Sequence, residues 1–124
     1  MTNLFMKIED LKEIGEKLTL ISDEMNKNIV LFEEQLKTFN IGIQVFVDIT
    51  PNTQLGYGRL DSKDWHLIIK TKQFEQTEVW PLANSPRGLR LLGYKHMYEI
   101  IPALKSAALV LCEQIETALK MERL

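Results

Sequence analysis

The 124 residues predict an α+β fold: a long N-terminal helix, an antiparallel four-stranded meander, and a C-terminal helix kinked or restarted near Pro102. Three observations carry this. Leu4, Leu11, Leu18, Met25, Phe32 and Phe39 recur at every seventh position, and Ile8, Ile29 and Leu36 occupy the offset that completes a heptad seam. After Gly42 the apolar period changes from helical to two. Beyond Ser85-Pro86 helical spacing returns, with Ile101, Leu104, Ala108, Leu111, Ile115 and Ala118 at steps of three and four.

The first helix has signals at both ends. Thr2 or Asn3 can cap its start, Glu9 and Asp10 lie early, and Asn40 with Gly42 tolerates the left-handed conformation that stops a helix. Gly15 and Ser22 fall on seam positions, and Ser22-Asp23 could cap a second helix. The apolar residues keep one heptad phase across Ser22, which favours a single continuous helix, bent or straight, over a hairpin. Such a rod would be about 54 Å long, against about 35 Å for a compact domain of this length. Part of the seam therefore needs cover from outside an ordinary globule. A second copy is expected to supply it, with Leu4, Leu11, Leu18 and Met25 at the oligomer interface.

Ile43, Val45, Val47 and Ile49 alternate with Gln44, Phe46 and Asp48, the pattern of a half-buried strand that ends at Pro51-Asn52. Residues 54–60 form a second strand and Asp61-Ser62-Lys63-Asp64 a tight turn. Residues 65–71 form a third strand with Trp65, Leu67 and Ile69 on one face, and residues 77–82 a short fourth. Connections this brief favour antiparallel neighbours. Ser85-Pro86 then starts a helix, with serine as cap and proline in the first turn. Gly88, Gly93 and Pro102 divide the C-terminal third of the chain into a short helix near 86–93 and a longer one reaching about residue 121. Its seam is expected to face that of the first helix. No linker or repeat marks a boundary, so residues 1–124 form one domain: helix 1–40, sheet 41–82, helices 85–122.

Composition removes several function classes. No apolar run reaches membrane-spanning length and no signal-peptide pattern opens the chain, so a cytoplasmic protein is expected. A net charge of −2 argues against a duplex nucleic-acid binder. One cysteine and two distant histidines supply no recognisable zinc set, and no metal or cofactor is expected. Cys112, among Leu109, Val110, Leu111 and Ile115, is expected to be a buried thiol. Asp61 and Asp64 suit a turn beside Lys63, and His66 alternates outward as a surface strand residue.

Charge is nevertheless uneven. No acid occurs between Glu78 and Glu99, a window holding Arg87, Arg90, Lys95 and His96. Residues 80–90 place an aromatic plane, an amide, a hydroxyl, helix-start N–H groups and two guanidinium groups in one loop-to-helix transition. Helix-end N–H groups and arginine suit phosphate, and tryptophan or tyrosine stacks on a base. Gly56-Tyr57-Gly58 lacks the lysine and the helix of a phosphate loop, and its glycines suit a twist, a bulge or close approach of another backbone or ligand. The candidate ligand residues are thus Tyr57, Arg59, Trp80, Asn84, Ser85, Arg87, Arg90, Lys95 and His96. A structural use of the same groups is also open: Trp80 in the core, Ser85 as cap, and the arginines paired with acids of the first helix.

The segments Leu55-Gly56-Tyr57-Gly58-Arg59-Leu60, Trp65-His66-Leu67 and Pro81 through Arg90, then Ile101-Pro102-Ala103-Leu104, resemble those of a group of small uncharacterised bacterial and phage proteins. The resemblance covers most of the chain after residue 20. It implies a helix, sheet, helix layout and assigns no catalytic residue. A phage origin would favour small inhibitors and proteins that sequester host signalling nucleotides. Two functions are therefore expected to compete. One is a non-enzymatic homo-oligomer holding an anionic, nucleotide-like ligand such as a cyclic-nucleotide immune signal. The other is a protein-interaction module, an inhibitor or chaperone, using the long helix and the sheet face.

Overall fold

A computed structural model describes residues 2–61 and 63–122 of the chain, with side chains from residue 7 onward. The capping side chains expected at Thr2 and Asn3, the side chain of Leu4, and Ser62 lie outside the described residues. The fold is α+β. Helix α1 (Thr2–Thr38) runs without interruption through Gly15 and Ser22. Four strands come next, β1 (Val45–Thr50), β2 (Thr53–Arg59), β3 (Trp65–Gln73) and β4 (Gln76–Pro81). A short 3-10 turn at Leu82–Asn84 leads into α2 (Arg87–His96), and a second at Met97–Glu99 leads into α3 (Ile100–Glu122). Asn40 and Gly42 take positive φ, at 52° and 63°, and stop α1 where residues tolerant of that conformation stand.

The sheet is an antiparallel meander in the order β1-β2-β3-β4. Its registers place Val45, Tyr57 and Leu67 in one row and Val47, Leu55, Ile69 and Trp80 in the next. These residues share one face because side chains alternate along a strand. Against that face pack Ile29, Phe32 and Leu36 of α1, Ile100 and Leu104 of α3, and Leu82 and Met97 from the two 3-10 turns. Helix α1 lies against β3, and α3 against β1 and β2.

The glycines beside Tyr57 make room for side chains of this same chain. A Cβ on Gly56 would fall 2.4 Å from the Phe46 ring, and one on Gly58 would fall 2.6 Å from Gln44 Oε1. The close approach expected there is intramolecular.

Several expectations are corrected. The two seams do not face one another along their length. The core takes Ile29, Phe32 and Leu36 from the last third of α1, while α3 contributes Ile100 and Leu104. Every residue from 7 to 21 of α1 and from 109 to 122 of α3 is exposed. Cys112 is exposed with them, because α3 has left the sheet by then. No atom outside α1's own backbone lies within 4 Å of a Cβ built on Gly15, so no helix crosses closely there, whereas Ser22 is buried. Helix α2 continues through Gly93 to His96, with Pro86 at its N-cap. Ser85 instead turns back, its Oγ donating to the Leu82 carbonyl at 2.7 Å. The restart expected near Pro102 is found: α3 begins at Ile100 after the 3-10 turn, with Pro102 in its first turn, where a missing N–H breaks no helical bond.

Candidate functional site

The residues expected to hold an anion are dispersed, and several are committed to the fold. Tyr57 is buried on the inner sheet face and stacks on Trp65 with centroids 5.3 Å apart. Burial, then the carboxylates of Glu33 and Glu34, raises its phenol above the ordinary 10.0. Arg59 is exposed, with its guanidinium 4.9 Å from the Trp65 ring centroid. Trp80 is half-buried against the core, Asn84 is exposed on the 3-10 turn, and Ser85 is buried. Arg90 donates from Nε and Nη2 to the Ser85 carbonyl at 3.3 and 3.1 Å, tying the start of α2 to the turn before it. His96 Nδ1 meets Glu99 one helical turn on. Arg87 and Lys95 are exposed. Among five concavities formed by the described residues, Arg87 is the sole member of the expected ligand set to line one.

His66 is not a plain surface residue. Its Nδ1 lies 3.1 Å from Oε1 of Glu33, and the backbone N–H of Leu67 donates to Oε2 of the same carboxylate at 2.9 Å. The sheet explains why. Strand β4 pairs with β3 only from Ile68 onward, where its last residue is Pro81, which has no N–H. The Leu67 amide beyond that point would be orphaned, and α1 supplies Glu33, 6% exposed, to cap it. Sequence periodicity places Glu33 on α1 but carries no signal for a contact with β3, 34 residues away.

The most developed concave surface is apolar. The last turns of α1 and the first half of α3 diverge from a floor of Phe32, Leu36 and Leu104, leaving a trough of ≈ 800 Å³. Phe39 and Ile41 line it from just past the end of α1, and Ile101, Ala108, Leu109 and Cys112 from α3, together with the polar Gln35, Thr38 and Lys105. Tyr98 packs edge-on against Phe32 at 5.1 Å and stays two-thirds exposed. A smaller cleft of ≈ 460 Å³, between α1 and α2, is lined by Leu18, Ile21, Met25, Leu91 and Tyr94 beside Arg87. Leu18 and Met25 thus line a cleft, and Leu11 is exposed.

Among the described residues no group of three or more His, Cys, Asp or Glu is placed to hold a metal, and no helix is long and apolar enough to cross a membrane. No family model, curated protein or solved structure matches this chain.

Proposed function

We propose that this chain is a non-catalytic, polypeptide-binding module that works through the trough between α1 and α3. One observation carries the reading: the trough is lined mostly by apolar side chains, with Gln35, Thr38 and Lys105 as its few strongly polar members, a composition suited to a polypeptide's apolar side chains. The anion-binding reading draws less support, because Ser85 and Arg90 bond inward and Tyr57 is buried. Exposed Arg59, Arg87 and Lys95 remain as its basis.

A photo-crosslinking residue in place of Phe39 or Leu109 tests the proposal. Both positions should yield a polypeptide adduct, and the same probe at exposed Asn52 should not. Folded protein that gives no adduct from either trough position would refute it. A rise in melting temperature with cyclic or ADP-ribose-derived nucleotides, lost in Arg87→Ala with Lys95→Ala, would move the assignment to an anion.

A further inference from the structure

We infer that the polypeptide covering the trough is a second copy of this chain, whose α3 beyond Leu104 seats in it while its own trough receives the first copy's arm. The inference rests on the trough being a polypeptide site and adds what fills it. Three quantities point the same way.

The first is total surface. A compact monomer of this mass exposes about 6,800 Å², whereas this chain exposes 9460 Å². The excess of about 2,600 Å² per chain is shared between α1 before Ser22 and α3 past Leu104, and a fraction of it meets the need of a homodimer, since stable interfaces cover about 800 Å² per partner.

The second is the distribution of apolar groups around α3. Leu109, Val110, Leu111 and Cys112 are consecutive and all exposed. At ~100° per residue Leu111, Ile115 and Ala118 form one apolar stripe, while Lys105, Glu113, Glu116 and Lys120 group on another side. The arm is therefore amphipathic, and its apolar stripe is exposed in a single copy. An apolar partner surface covers such a stripe, and the trough is one.

The third is size. A helix ~10 Å across fills ≈ 800 Å³ with about two turns. Leu109 through Ile115 is that length. Because α3 supplies both a wall and the guest, the contact is isologous, and residues near its twofold axis meet their own copies. Cys112, on the trough wall, lies in that region.

Native mass spectrometry and light scattering of the wild-type chain should give twice the 14.4 kDa mass, and a short bismaleimide should join two chains through Cys112. The variant Leu111→Glu with Ile115→Glu alters only exposed side chains of a single copy. It should weaken self-association at least ~100-fold, at 1.4 kcal/mol per tenfold for two buried apolar groups. The uncharged pair Leu111→Gln with Ile115→Gln should weaken self-association in the same direction, and it keeps the test open where added carboxylates beside Glu113 and Glu116 unfold α3.

A monomer in solution would overturn the inference, as would a dimer whose mass and melting temperature ignore the double substitution. A dimer without the Cys112 link would overturn the arm-in-trough seat. A monomeric chain whose trough probes capture a different polypeptide would overturn this inference and leave the proposed function standing.

Discussion

Removing the Glu33 carboxylate should unfasten α1 from the edge of β3, and the size of the effect is set by the two β3 groups it hydrogen-bonds, the half-exposed Lys37 ammonium at 4.0 Å adding little. In Glu33→Ala the Leu67 N–H loses an acceptor 2.9 Å away at a buried position, and His66 Nδ1 loses its partner at 3.1 Å. A hydrogen bond to a charged group contributes about 1.5–3 kcal/mol, and leaving a buried amide unpaired costs a similar amount, so the expected loss is about 3 kcal/mol. Glu33→Gln retains one acceptor for Leu67 and places an NH2 against His66, so it should cost under about 1 kcal/mol. With a urea m-value of about 1.5 kcal/mol/M, the alanine variant should shift the unfolding midpoint by about 2 M and the glutamine variant by about a third of that. Hydrogen exchange adds a local readout: the Leu67 amide should lose protection in Glu33→Ala beyond the global change and keep it in Glu33→Gln. Equal shifts for the two variants, or a Leu67 amide that exchanges as in the wild type, would refute the capping role.

Two glycines of one helix should respond with opposite signs. A Cβ at Gly93 would fall 2.4 Å from Cδ1 of buried Leu82, so Gly93→Ala should destabilise by about 1–3 kcal/mol through overpacking. Gly88 has nothing within 4 Å, and Gly88→Ala should gain about 0.5–1 kcal/mol in helix propensity, both read by thermal melts. Phe74 sits at the β3–β4 turn with φ 57° and is 99% exposed, so Phe74→Gly should raise stability by about 1 kcal/mol in denaturant titrations. Tyr57 sets an alkaline limit. Its raised phenol stays neutral in the fold after the unfolded chain's phenol ionises, so its contribution is full below the ordinary 10.0 and lost as pH climbs through the folded value. Stability should fall above about pH 10 more steeply in the wild type than in Tyr57→Phe, and parallel profiles would discount the residue.

The elements themselves were legible because their signals are local. The heptad run marks α1, and Asn40 with Gly42 marks its end, since only residues tolerant of positive φ stop a helix this way. Alternation in Val45, Val47 and in Leu67, Ile69 marks strands and their inward face. What misled was inference from neighbours along the chain. Cys112 has apolar neighbours on both sides and is exposed, and Ser85 stands where a cap belongs and bonds the preceding turn. The expected ligand set shared one stretch of sequence, yet its members divide among the sheet core, a 3-10 turn and an exposed helix face.

By itself the sequence determined which segments are helix and which are strand, their order, and the presence of more apolar seam than one small domain can bury. Backbone hydrogen bonding and side-chain period act over a few residues, so these properties are written locally. Only the tertiary structure decided which third of each seam is used. Four strands spaced ~4.8 Å apart make a sheet about 15 Å wide, while α1 with 37 residues and α3 with 23 extend about 55 and 35 Å. The overhang of α3 past Leu104 and of α1 before Ser22 results from that mismatch of lengths, and so does the apolar trough where the two helices part.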